Sequence, residues 1–275
     1  MKKIMLLCLV ALMVGCSSKD IKFMSFNIRN SSPWTINEDG ENAWGNRREA
    51  VAKMILKEKP DALGLQEALP EQTDYLDSVL AGEYIRIGVG RDDGDRGGES
   101  MCIYYRPESL TLIDWHTEWL SPSPDSVSMG WDAACIRTLT FAHFHIKNQL
   151  RKDIIYINTH LDHVGQEARR NSVLQLCNIT EKYKLPVIVG GDMNSTLADT
   201  IFLPFKENNL ISARDLAEVT DSACTYNAFG KAKSSQIDHF FVRGWKEVKE
   251  FRTLTDDYGV PYLSDHYPIV TIVSL

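Results

Sequence analysis

The chain has 275 residues, with 30 Lys and Arg against 37 Asp and Glu and a formal net charge of −7. That balance argues against a non-specific binder of polyanions, which needs an excess of cations to neutralise phosphates. The length suits one large domain or two small ones, and past residue 16 no apolar run is long enough to span a bilayer.

Lys2 and Lys3 form a charged start, Ile4 to Val14 a short apolar core, and Gly15-Cys16 follows. This pattern reads as a secretory signal over residues 1–15. Its end, Met13-Val14-Gly15-Cys16, resembles a bacterial lipobox, with Met13 where leucine is usual. Cys16 is therefore expected to be lipidated, residues 16–21 to form a tether, and 22–275 to form the domain. Losing Lys2 and Lys3 makes the remaining chain more acidic. Cys102, Cys135, Cys177 and Cys224 show no CxxC spacing, which speaks against zinc. Cys102 and Cys177 read as buried hydrophobes. An exported compartment permits a disulfide, but spacing assigns none.

Ile21 to Ile28 reads as a buried strand. Asn42 to Lys59 reads as a helix with Trp44, Val51, Met54 and Ile55 on one face, stopped by Pro60. Ala62 to Gln66 is a short strand, and Pro70 opens a helix to about Leu80. Tyr84 to Val89, Ser100 to Arg106 and Leu110 to Leu120 read as strands, the first two separated by a loop with Gly94, Gly97 and Gly98. Arg137 to Lys147 and Lys152 to Thr159 form a hairpin around Asn148-Gln149. Gln166 to Tyr183 is an amphipathic helix, Val187 to Gly190 an apolar strand, and Thr200 to Asn208 a short helix. Ile237 to Arg243, Val248 to Thr255 and Tyr267 to Val273 close the set. About eleven strands and four helices fit an α/β fold of two packed sheets with helices on the outer faces.

Seven of these runs end in, or just before, a group that can hold a metal or handle a proton. At Gly190-Gly191-Asp192-Met193-Asn194 an apolar strand runs through two glycines into an acid and an amide, a pattern that serves a site or a turn equally. Asn27 and Glu67 end two strands, and together an amide oxygen and a carboxylate suit Mg²⁺. His160 ends another strand, and a neighbouring Glu99 would orient its ring and raise its pKa. In Asp238-His239 and Asp265-His266, adjacent residues point to opposite faces, so neither pair works internally. A cross-pair does: Asp238 holding His266 has the logic of an orienter and a base, which frees Asp265 to face a metal.

As an ordered set, Asn27, Glu67, Glu99, His160, Asp192 with Asn194, Asp238, and Asp265 with His266 resembles the endonuclease/exonuclease/phosphatase superfamily, the deoxyribonuclease-I-like fold, over about Lys22 to Val273. Trp44-Gly45-Asn46-Arg47-Arg48 and Asn158-Thr159-His160-Leu161-Asp162-His163 resemble its subgroup of nocturnin and the carbon-catabolite-repression deadenylases. The resemblance implies a four-layer αββα sandwich of two mixed sheets. It implies Mg²⁺, or Mn²⁺, organised by Glu67, Asn27 and Asp265, with Asp192 activating water and Asn194 binding a phosphate oxygen. His266, oriented by Asp238, would share the charge, and His160 with Glu99 would bind phosphate or assist the leaving group. Arg137 stands where family members often keep a phosphate-binding arginine; its alternative is a strand-edge surface Arg.

The expected activity is thus hydrolysis of a phosphoester in a nucleic acid, a nucleotide or a phospholipid head group, with nuclease or 3′-exonuclease action first. A sphingomyelinase-like enzyme using Trp115, Trp119 or Tyr258 to Leu263 at a membrane is one alternative. A sugar- or inositol-phosphate phosphatase is another, and a catalytically silent binding lipoprotein is a third from a different class. Arg47-Arg48, Arg169-Arg170, and Lys231 with Lys233 are the only small basic clusters, and each reads as solvated surface. A monomer, lipid-anchored on the periplasmic or outer side of a bacterial cell envelope, is expected.

Overall fold

The computed structural model describes residues 19–231 and 234–275. The signal segment, Cys16, the rest of the tether up to residue 18, and Lys233 lie outside the described residues. Two six-stranded sheets form the centre. The first runs β11(Glu247–Thr253), β12(Ile269–Ser274), β1(Ile21–Asn27), β2(Ala62–Gln66), β4(Ile103–Tyr105), β3(Ile85–Ile87). The second runs β5(Leu110–Trp119), β6(Thr138–Ile146), β7(Asp153–His160), β8(Val187–Asp192), β10(Asp238–Arg243), β9(Ile211–Ser212). Both are mixed, because β1–β2 and β7–β8 are parallel while their other pairings are antiparallel.

Alternation along the strands builds three cores. Ile21, Phe23, Tyr156, Ile188 and Phe240 meet between the sheets. Met24, Phe26, Leu63 and Leu65 point the other way, under α2(Trp44–Glu58) and α3(Pro70–Val79). Phe141, Ile157 and Val189 face outward from the second sheet, under α4(Gln166–Glu181) and α5(Leu203–Glu207). This is the expected four-layer αββα sandwich. Period-two alternation gives each strand two buried faces, so each sheet is covered on both sides.

Two short α-helices and one strand were not anticipated: α1(Pro33–Asp39), α6(Ala213–Leu216) and the two-residue β9. α1 carries a start signal, since the Ser32 side chain accepts from Thr35 N and Pro33 opens the first turn. β9 and α6 are too short to show a period. β1 begins at Ile21, one residue before the expected domain start.

Arg47 corrects another expectation. It is 1% exposed, not solvated, and donates to the backbone oxygens of Ile28, Arg29, Asn42 and Leu263. Burial pulls its guanidinium down to about 10, still charged at neutral pH. Its fork ties the end of β1 to the segment that leads into β12. Cys102 and Cys177 are buried as expected, and the four described cysteines are unpaired. No helix among the described residues is long and apolar enough to cross a membrane.

Candidate active site

Strand registers bring the distant residues to one rim. Parallel pairing sets Asn27 beside Gln66, so Glu67 follows at the same edge. Parallel pairing of β7 with β8 sets His160 beside Asp192. β10 runs the other way and begins with Asp238 opposite Asp192. β12 is antiparallel to β1, so Asp265 and His266, just before it, arrive at the same rim. Three cleft residues hold left-handed backbone: Arg29 (φ 54°), Glu67 (φ 62°) and Asn194 (φ 49°). Such strain in non-glycine residues persists only where surrounding structure enforces it. Each turns the chain sharply where a strand ends.

The side chains interlock. Asn27 Nδ2 donates to Glu67 Oε1 and to Asp192 Oδ2, both at 3.0 Å, bridging the two sheets. Asn30 donates to Glu67 Oε2 from its backbone and its amide, each at 3.0 Å. His266 Nδ1 lies 2.8 Å from Asp238 Oδ2, the expected cross-pair. His266 Nε2 lies 3.7 Å from Asp192 Oδ2, and His160 Nε2 lies 3.3 Å from the same oxygen. Asn194 Nδ2 donates to His160 Nε2 (3.0 Å) and to Leu161 O (2.9 Å), while its backbone N–H donates to Asp192 Oδ1. The Asp192–Asn194 segment is thus both a turn and part of the site.

Electrostatics divides these groups. Burial and the adjacent Asp238 raise Asp192 to about 7. Burial and the Glu67 charge raise Glu99 to about 7. Burial also raises Asp265, with Glu67 adding to it against the pull of His266. Burial would raise Glu67 too, but donors from Asn27 and Asn30 and the nearby His266 and Arg29 charges hold it low. For His266 burial works against the charge, yet Asp238 and Asp192 prevail and hold it well above its usual value. Burial, reinforced by Arg137 and Arg91, keeps His160 neutral.

That last direction corrects the sequence expectation. Glu99 does not bond His160; it bonds Arg91 at 2.6 Å and Asn30 at 3.4 Å. His160 Nδ1, the atom a carboxylate would have taken, is buried without a hydrogen-bond partner. Arg137 is in the cleft wall and buried, not at a solvated edge; its Nε donates to Asp162 at 3.3 Å and its Nη2 to His163 Nδ1 at 3.0 Å.

Sequence reasoning missed Arg29, Asn30 and Arg91. Arg29 spans Glu38, Asp39 and Asp265. Arg91 is placed by its backbone, which accepts from Trp119 Nε1. Trp119 is thereby a buried support, not a membrane contact. Only the closeness of Arg29 and Asn30 to Asn27 could have signalled them; Arg91 sits in a loop with no periodic cue.

Cys135, Asp162 and His163 form a second cluster of ligand-type atoms at the cleft edge. It is organised around Arg137 instead of a cation. Asp162 already accepts from Ala134, Val164, Gly165 and Arg137, and a guanidinium sits on the His163 ring. The group of Asp192, Asp238 and His266 also has ligand atoms within 4.8 Å of one another, but Asp238 and His266 use theirs on each other.

A hard cation fits better at Glu67, Asp265 and Asn27. They supply only oxygen donors and the amide, and the crowding that raises Asp265 is relieved by positive charge. Around them lies an open cleft of about 630 Å³.

A two-sheet sandwich with carboxylates, amides and two differently charged histidines at one rim defines a phosphoesterase of the deoxyribonuclease-I-like class. The chain belongs to the Endonuclease/Exonuclease/phosphatase family, whose model matches residues 24–266. It is similar to the endonuclease/exonuclease/phosphatase from Bacteroides vulgatus, with 35% identity, TM-score 0.87, and coverage of 94% of this chain and 100% of the other. It is also similar to a mannosyl-6-phosphatase from Bacteroides thetaiotaomicron, with 29% identity, TM-score 0.86, and coverage of 93% and 100%. The human nocturnin catalytic domain shares the fold, with 19% identity, TM-score 0.69, and coverage of 93% and 94%.

Proposed function

We propose that this chain is a divalent-metal-dependent hydrolase of small phosphate monoesters, with a sugar phosphate as substrate. The observation that carries the proposal is the convergence of Asp192 with both histidines across the sheet interface. Glu67, Asp265 and Asn27 would hold Mg²⁺ or Mn²⁺. When bound, the ion supplies positive charge to the phosphate oxygens as negative charge builds in the transition state. Asp192, poised near neutral pH, takes a proton from the attacking water. His266, kept cationic by Asp238, donates to a phosphate oxygen. On the opposite side Asn194 would turn the amide proton that now meets neutral His160 onto a phosphate oxygen.

The charge balance supports a compact substrate over a polynucleotide. Each cleft arginine already has an acidic partner: Arg29 has Asp39, Arg91 has Glu99, and Arg137 has Asp162. Among the described residues of the cleft, no row of free cations remains to track a phosphate backbone. The likeness to the mannosyl-6-phosphatase points the same way.

The test is an assay of metal-stripped protein, with Mg²⁺ or Mn²⁺ restored, against a hexose 6-phosphate, single-stranded RNA and DNA, and sphingomyelin. Metal-dependent release of phosphate from the sugar ester is expected. Faster cleavage of a nucleic acid restores the nuclease expectation, and turnover of none of them overturns the enzyme reading.

A further inference from the structure

The cleft floor is polar and charged, but one wall carries a bare aromatic. Trp34, in the first turn of α1, lines the cleft and is 69% exposed. Among the described residues its indole has no ring partner and no side-chain hydrogen bond. Exposed indoles on a polar surface leave a large apolar face in water, a cost that a ligand relieves.

The wall is fixed to the catalytic floor. Thr35 Oγ1 donates to Asn30 O, and Asn30 donates to Glu67. Arg29 joins Glu38 and Asp39 of α1 to Asp265. The indole is therefore held in register with two of the carboxylates proposed to hold the cation.

We infer that Trp34 is a specificity-determining residue, whose indole face receives the C–H face of a sugar ring carrying the phosphate. The inference rests on the phosphomonoesterase reading and names its leaving group. A pyranose offers one apolar face and a polar rim. The cleft offers one open aromatic face, with Asn30, Ser32 and Arg91 as hydrogen-bonding groups in the same lining. Tyr226 in that lining already packs edge-on against His266 (5.1 Å, 61°), and the His163 ring already holds Arg137, so both rings are engaged elsewhere than on a planar base.

The experiment compares wild type, Trp34→Ala and Trp34→Phe on a hexose 6-phosphate, on a nucleoside monophosphate and on glycerol phosphate, which has no ring. Trp34→Ala is expected to lower kcat/KM for the hexose ester roughly tenfold. The loss should lie mainly in KM, with partial rescue by Phe and no change on glycerol phosphate. Equal loss on the hexose and glycerol esters, or none on either, overturns the role of Trp34. A Trp34-dependent preference for a nucleoside monophosphate overturns the sugar class. If wild type hydrolyses none of the three esters, the phosphomonoesterase reading itself fails, a result distinct from the other two.

Discussion

Asp192 receives hydrogen bonds from Asn27 and from the Asn194 backbone, and it faces Asp238 and two imidazoles. Asp192→Asn keeps its shape and removes its proton affinity. Turnover should fall by about 10²–10⁴. The metal-free melting temperature should hold or rise, because a buried like-charge contact is gone. Calorimetry beside a kinetic assay checks both halves. His239 gives a separate pH signature. Burial lowers it to about 4 from 6.5, and its Nε2 bonds Ser195 O at 2.9 Å. Its folded pKa is depressed, so the unfolded chain takes the proton first as pH falls. The stability it contributes is complete above pH 6.5 and is lost between 6.5 and 4, up to about 3 kcal/mol. Urea midpoints across that range should show the slope, and His239→Gln should flatten it.

Between the elements, the contact that aligns the half-sites is a polar one inside an apolar core. Gln66 Nε2 donates to Asn158 Oδ1 at 2.7 Å, and Asn158 Nδ2 donates to Leu65 O and Cys102 O. These bonds join β2 of one sheet to β7 of the other, one residue from Glu67 and two from His160. Gly64 leaves room for them: a Cβ there would lie 2.4 Å from Tyr156 Oη and 2.6 Å from Asn158 Cγ. Gly64→Ala should therefore cost about 1–3 kcal/mol and lower kcat more than KM, since it shifts the sheets that carry the two halves. Denaturation and steady-state kinetics on one preparation would show it. The strands were legible because buried alternation has a period, and the His266–Asp238 pair was legible because neighbouring strand residues point to opposite faces. Glu99 escaped that logic. It lies in a loop where Arg91 and Asn30 compete for its carboxylate, and no periodicity ranks such partners. Arg47 was misread for a related reason: burial of a cation depends on which carbonyls and carboxylates the fold brings to it.

For the whole molecule, the carboxylates at the rim set the response to metal. Saturating Mg²⁺ at about 100 Kd should stabilise the protein by about 2.7 kcal/mol. That raises the melting temperature on the order of 5 °C. A chelator should reverse the shift, and Glu67→Gln or Asp265→Asn should abolish it; thermal scans with and without metal decide. The lipid anchor is a proposal of the same scale, resting on the charged start, the short apolar core and Gly15-Cys16. Labelled fatty acid should enter the full chain in a bacterial host and sediment with membranes, and Cys16→Ser should release the label and leave the catalytic constants unchanged.

β12 lies between β11 and β1, so the last strand of the domain seals the first. Asp265 and His266 sit just ahead of it. During synthesis Ile21–Asn27 must therefore keep one edge bare until Ile269–Ser274 has left the ribosome. Until then the rim has neither the His266 imidazole nor the Asp265 carboxylate, so a translation product that stops short of residue 265 carries half of the cleft.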